Sequence, residues 1–294
     1  MKTLYVSDLD GTLLNKQGQL TDNSRRIISS LIEQGVLFTA ATARSQSGIK
    51  YLRSLGVRIP SIHLNGVLIY DLSKGGYIDC VPLDTQTARE IIRILRYFDR
   101  ISFVYKFDKD CGINVSFESL SNEIERNFFE VRKNEDYKSF HQVAEIRAED
   151  DDKVIYFTMV DRYERLKPIY EAICALPEAK ATLYSDNYSD MYFLEVFSAE
   201  ATKAAGVRKL KKLLGADMTV TFGDNLNDLE MLQTSDFGIA VGDAVPEVRE
   251  KADLIIGESF NDGVAEYLKL SAVPCPGGSS TAPVLRCGMN RADA

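Results

Sequence analysis

A rhythm in the hydrophobic pattern restricts the fold more than any other feature of this chain. Short apolar runs alternate with helical patterns over the first 80 residues, the alternation breaks off, and it resumes after Ser198. Residues 3–7 read as a buried strand, 23–34 as a helix closed by Gly35, and 36–41 as a strand. A helix at 45–55 stopped by Gly56 and a short strand at 61–64 follow. Such alternation is the signature of a parallel sheet with crossover helices. Residues 65–71 and 77–81, on either side of Ser-Lys-Gly-Gly, predict a hairpin.

The rhythm then changes. After a helical stripe of Ala88, Ile91, Ile92, Leu95 and Phe98, strands are expected at 101–107, 113–117, 154–160, 181–185 and 191–197. Helices near 119–129 and 162–176 intervene, which suggests a separate α+β unit. The α/β pattern returns with a helix at 199–214, and strands at 219–222, 237–240 and 254–256 alternate with helices at 227–232, 246–251 and 262–270. The expected fold is therefore α/β: a Rossmann-like parallel-sheet core from residues 1–81 and 197–270, with an inserted α+β cap at 82–196. Residues 271–294, containing PCPGGSSTAP and no periodicity, read as a disordered tail or an expression remnant.

Lys and Arg number 35 against 43 Asp and Glu, a net charge of −8, which argues against a nucleic-acid partner. No signal-peptide segment or membrane-length apolar run occurs, so a cytoplasmic location without membrane attachment is expected, and nothing marks an obligate protein partner. The five cysteines are irregularly spaced and form neither a disulfide framework nor a metal-ligand pair. With only His63 and His141, histidine chemistry is poorly served, and both are read as structural or surface residues. Chemistry must come from carboxylates. The acidic tract 149–153 reads as a solvated loop, because no glycine or ligand spacing organises it.

Two acidic clusters stand out. Asp8 and Asp10 in SDLDGT follow the first strand, where α/β sheets bind ligands outside the carboxyl ends of their strands. Neighbouring carboxylates repel, so the pair needs a cation, for which oxygen ligands favour magnesium, or else one member is protonated and acts as a general acid. A pair of turn-forming aspartates is the plain structural alternative. Asp224, Asn225, Asn227 and Asp228 in GDNLND follow a second strand and open a helix, whose N-terminus favours anions. Thr42, Ala43 and Arg44 end another strand, and Lys203 begins the helix after the insertion.

The order DLDGTLL, ATAR, a lysine after the insertion, and GDNLND resembles the haloacid dehalogenase superfamily, specifically its Cof-like, type-IIB phosphatases. The resemblance covers about residues 1–270, including the placement of the insertion. It implies that Asp8 is the nucleophile, that Asp10 is the general acid and base, and that Mg²⁺ is held by the Asp8 carboxylate, the Asp10 carbonyl and Asp224. It further implies phosphoryl contacts from the Leu9 and Ala43 amides, Thr42, Lys203 and Asn227, with Asp228 and Arg44 in support. Asp228 is expected to orient Lys203 or a metal-bound water. The inserted unit would serve as a lid that reads the leaving group, and its aromatics, Tyr188 among them, read mainly as sheet core.

Three positions depart from the family pattern: Ala43 and Ala204 stand where glycine is usual, and Asp243 where asparagine is usual. The alanines are harmless only with negative φ. The implied activity is Mg-dependent hydrolysis of a small phosphorylated metabolite: a sugar phosphate first, FMN or pyridoxal phosphate next. A phosphosugar mutase would share both aspartates, and a catalytically silent scaffold is the third reading. A P-loop kinase is excluded by the absence of GxxxxGK[ST].

Overall fold

A computed structural model of the protein describes residues 1–45, 48–100, 103–108, 112–120, 122–134, 137–185 and 191–272. The chain begins with β1 (Thr3–Ser7), α1 (Asp22–Glu33), β2 (Leu37–Ala40) and α2 (Ile49–Ser54). Then come β3 (Ser61–His63), β4 (Leu68–Asp71) and β5 (Gly76–Cys80). The middle of the chain holds α3 (Thr85–Tyr97), β6 (Phe103–Asp108), β7 (Gly112–Phe117), α4 (Glu123–Arg132) and β8 (Lys138–Gln142). It continues through β9 (Val154–Asp161), α5 (Tyr163–Ile173), β10 (Ala179–Ser185) and β11 (Tyr192–Ser198). Last are α6 (Lys203–Leu214), β12 (Met218–Gly223), α7 (Leu229–Thr234), β13 (Phe237–Ala240), α8 (Pro246–Lys251), β14 (Leu254–Ile255) and α9 (Gly263–Ser271). The tail expected at 271–294 lies, from residue 273 onward, outside the described residues, as does Tyr188.

The elements form two compact units. The first comprises Met1–Thr42, Gly48–Ile59 and residues 207–272. Its sheet runs β14-β13-β12-β1-β2, and every pairing is parallel. Leu4, Val6, Phe38, Val220, Phe222 and Ile239 are buried, as expected for strands covered on both faces. Thr21 caps α1 by accepting from the Ser24 amide at 3.0 Å, an interaction worth about 1 kcal/mol. Asp262, at φ 60°, accepts from Asn23 Nδ2 at 2.9 Å and Ser24 Oγ at 2.7 Å, and also from the Thr21 hydroxyl, tying the start of α1 to the start of α9.

The second unit comprises residues 43–45 with Pro60–Gly206. Its main sheet runs β10-β11-β9-β6-β7-β8, antiparallel except for the parallel β7–β8 pair. One face packs Val104, Phe157, Leu194 and Val196 against Ala88, Ile91 and Leu95 of α3 and Leu166, Ile169 and Ile173 of α5. The other gathers Phe103, Tyr105, Val115, Tyr156 and Phe197 with Phe128 of α4 and with Leu64, Val67, Leu68 and Val81. These aromatics are core, as their alternation suggested. Each fully buried side chain of this size contributes roughly 1.5–3 kcal/mol.

Several details differ from the sequence reading. The strand expected at 61–64 does not join the parallel sheet; β3 pairs antiparallel with β4 in the small β3-β4-β5 sheet. Residues 60–81 and 197–206 share the second compact unit with the insertion expected at 82–196, because Leu64, Val67, Leu68, Val81 and Ala201 are packed into its aromatic core. The helix expected from residue 199 starts at Lys203, where Thr202 caps it. β8 went unforeseen: its sequence, KSFHQ, has one apolar residue. The acidic tract 149–153 is an ion-paired loop, with Asp150 on Arg89 at 2.9 Å and Asp152 on Lys106 at 2.6 Å. No helix among the described residues is long and apolar enough to cross a membrane.

Candidate active site

In the first unit the parallel register brings three strand ends level. Ser7 lies opposite both Ala40 and Phe222. The Asp8 amide then donates to the Phe222 carbonyl at 3.0 Å, and the Ala41 amide to the Ser7 carbonyl at 2.9 Å. Asp8, Thr42 and Asp224 therefore follow one another around the carboxyl edge of the sheet, where this class of fold places its ligands.

The chain leaves β1 through a tight turn. The Leu9 carbonyl accepts from the amides of Leu13 at 3.1 Å and Leu14 at 2.8 Å, while the Leu9 side chain is wholly buried. Asp8 is 5% exposed, Asp10 is an exposed residue, and Gly11 adopts φ 80°. Thr12 Oγ1 donates to Asp224 Oδ1 at 2.8 Å. The sequence reading gave Thr12 no role; its partner is 212 residues away.

After β12, the turn at Leu226–Asp228 carries a capping box. Asp228 Oδ2 accepts from the amides of Asp224 at 3.1 Å and Asn225 at 3.2 Å, and Asp228 is fully buried. Gly223 makes that approach feasible, since a Cβ there would lie 2.5 Å from the Asp228 Cβ. Asn227 is exposed on the same turn.

One carboxylate oxygen each from Asp8, Asp224 and Asp228 lies within 4.8 Å of the others. Two ionised carboxylates at that spacing repel by roughly 3 kcal/mol at an effective dielectric of 20, and the cluster contains three such pairs. A hard divalent cation converts this repulsion into attraction, and an all-oxygen donor set suits magnesium. The residues thus fit the ion expected from the sequence, with one difference. Asp228, expected to orient Lys203 or a metal-bound water, joins the cluster through its carboxylate.

The remaining candidates belong to the second unit. Ala43 is exposed, Arg44 is half-buried, and Lys203 is 1% exposed at the first position of α6. Among described residues other than glycine, only Leu64, Asn65, Asp99 and Asp262 have positive φ, so Ala43 and Ala204 sit without strain. Asp243, in the first unit, directs both carboxylate oxygens at Ser259, accepting from its amide at 2.8 Å and its hydroxyl at 2.7 Å.

His63 is buried and structural. Its Nδ1 donates to the Ser45 carbonyl at 3.1 Å, which leaves Nε2 to accept from the Ser61 hydroxyl at 2.7 Å. Burial drives its pKa down to about 4, against smaller opposing effects of the backbone hydrogen bonds at Ser45 and Arg44. His141 is exposed.

The sequence profile of the haloacid dehalogenase-like hydrolases matches residues 5–268. A Bacillus subtilis relative, the 5-amino-6-(5-phospho-D-ribitylamino)uracil phosphatase YitU, is 24% identical over 272 residues, covering 90% of this chain and 96% of its own. A solved haloacid dehalogenase-like hydrolase from Bacteroides thetaiotaomicron superposes with a TM-score of 0.72 at 22% identity, covering 92% of this chain and 99% of its own. The HAD subclass IIB sugar phosphatase BT4131 superposes with a TM-score of 0.67 at 20% identity, over 92% of this chain and 98% of its own.

Proposed function

The chain belongs to the haloacid dehalogenase-like hydrolases and is a phosphatase of that family, and we propose that it hydrolyses small phosphomonoesters with Mg²⁺ through a phosphorylated Asp8. The observation that carries this reading is the carboxylate cluster of Asp8, Asp224 and Asp228 at aligned strand ends.

In the proposed reaction an Asp8 carboxylate oxygen attacks phosphorus as the bond from phosphorus to the ester oxygen breaks. Asp10, exposed beside it, gives its proton to the departing alkoxide. The resulting Asp10 carboxylate then takes a proton from water, whose oxygen attacks phosphorus. The phosphorus bond to Asp8 breaks, and phosphate leaves. Asp8, Asp224 and Asp228, with the Asp10 carbonyl, would hold Mg²⁺, which neutralises their charge and that of the transferring group. The Leu9 amide, Thr42 and Asn227 of the first unit, and the Ala43 amide and Lys203 of the second, would hold phosphoryl oxygens. Arg44 would support them.

The substrate we favour is a phosphorylated sugar or polyol, because the relatives with named substrates act on a phosphoribityl compound and on sugar phosphates. FMN and pyridoxal phosphate come next. The second unit would select among leaving groups. Turnover in ¹⁸O-labelled water tests the scheme: each released phosphate should carry one label, and a single turnover should leave the Asp8 carboxylate unlabelled. Isomerised sugar phosphate with little free phosphate would replace this reading with a mutase.

A further inference from the structure

Three consecutive residues of the second unit hold left-handed backbone: Leu64 at φ 49°, Asn65 at φ 55° and Gly66 at φ 104°. Glycine is at ease there and asparagine tolerates it, but a leucine does not adopt it without steric strain. Strain of this kind persists only where the surroundings impose it, and it collects at functional sites.

The surroundings here are two separate segments that carry phosphate-binding candidates. On one side the Leu64 amide donates to the Arg44 carbonyl at 3.2 Å, and the adjacent His63 ring donates to the Ser45 carbonyl. On the other side Gly66 lies against Thr202, where a Cβ would stand 2.2 Å from the Thr202 carbonyl oxygen. Thr202 is the cap of α6: its Oγ1 accepts from the Ala205 amide and its carbonyl from the Gly206 amide, each at 3.0 Å. Gly206 in turn meets Ile62, with three side-chain carbons 2.9 Å from the Cβ it lacks. The β3 segment and the first turn of α6 therefore interlock at two points, Gly66 on Thr202 and Gly206 on Ile62, with Lys203 between them.

We infer that the left-handed turn Leu64–Asn65–Gly66 is a positioning element for Lys203, fixing the first turn of α6 against the Arg44–Ser45 backbone. The inference rests on the phosphate-binding role proposed for Lys203. An ordinary right-handed turn at 64–66 would not bring a backbone this close to Thr202, so the strain at Leu64 and Asn65 maintains the contact that locates the lysine. Gly66 acts through its missing side chain.

The test compares Asn65→Ala, which disfavours φ 55°, with Asn65→Gly, which adopts it freely. Two readouts apply: the Kd for orthovanadate with Mg²⁺, and hydrogen exchange at the Ala205 and Gly206 amides. Asn65→Ala should weaken vanadate binding by about 10-fold or more and speed both amides by a similar factor, whereas Asn65→Gly, which loses the same side-chain contacts but keeps the conformation, should lose clearly less in both. Lys203→Ala, measured alongside, should weaken vanadate binding too. Unchanged exchange in Asn65→Ala, or equal losses in the alanine and glycine variants, would overturn the positioning role. Wild-type vanadate affinity in Lys203→Ala would instead remove the phosphate role of the lysine, and the inference with it.

Discussion

Gly11 stands so close to Asp224 that a Cβ added to it would lie 2.4 Å from Asp224 Oδ2. Its φ of 80° is equally unsuited to a side chain. The glycine between the β1 carboxylates and Thr12 thus lets the turn close against the carboxylate that β12 contributes. Gly11→Ala should cost about 1 kcal/mol through backbone strain alone. Displacing Asp224 should lower kcat/KM by about 10²-fold, a common effect of misplacement near 1 Å. A folded Gly11→Ala enzyme with wild-type kinetics would show that Asp224 needs no such contact.

Metal dependence is the outcome expected from the packing of Asp8, Asp224 and Asp228. Activity should disappear on EDTA treatment and return with Mg²⁺. Asp228→Asn removes one charge yet keeps an oxygen to accept the Asp224 and Asn225 amides, so it should raise the Mg²⁺ concentration needed for half-maximal rate without unfolding the turn. Asp224→Ala should be more severe, since it also strips Thr12 of its acceptor. Full turnover by the metal-free protein would sink the magnesium assignment.

The two N-terminal aspartates should fail differently. Asp8→Asn should abolish trapping of radiolabelled phosphate on the protein. Asp10→Asn should slow both proton-transfer steps by about 10²–10⁴-fold. The contrast is readable in single-turnover experiments: no covalent label in the first variant, slow accumulation in the second. A labelled Asp8→Asn protein would mean that another residue is the nucleophile.

His63 makes the protein sensitive to acid. Its folded pKa of about 4 lies below the ordinary 6.5, so the unfolded chain binds a proton that the folded chain refuses. The stability it contributes is complete above pH 6.5, falls as the pH drops from 6.5 to about 4, and then levels off. That gap of about 2.5 pH units corresponds to roughly 3 kcal/mol. Urea titrations between pH 7 and 4 should show a shallower decline in His63→Gln than in the wild type, and identical slopes would contradict the buried neutral imidazole.

Both acidic clusters were legible because each follows an apolar run, and a strand's carboxyl end is the place where α/β sheets work. The parallel core was legible for the same reason: buried parallel strands read as unbroken apolar stretches. Partnerships across long separations were not. No local pattern reveals that Thr12 serves Asp224, that Lys203 is buried, or that three residues at Leu64 run left-handed. β3 misled because three buried residues look alike in either kind of sheet. β8 was invisible because one phenylalanine makes no periodicity.

The strand order of the first unit has a consequence for the growing chain. β1 has β2 on one side, but its other neighbour, β12, pairs Thr3 with Met218, and Asp262 fastens α1 only once α9 begins. Pairings of such sequence separation form late, because the loop must close before any contact repays the cost. The second unit draws almost wholly on the stretch from Pro60 to Gly206, which leaves the ribosome before β12 does, and domains fold in the order in which they emerge. Protease digestion of stalled nascent chains should yield a resistant core from this middle stretch at lengths where the first 40 residues are still cut. Through most of its synthesis Asp8, the proposed nucleophile, therefore sits at the end of a strand still without its β12 neighbour, and the carboxylates of Asp224 and Asp228 reach it only when the last quarter of the protein emerges.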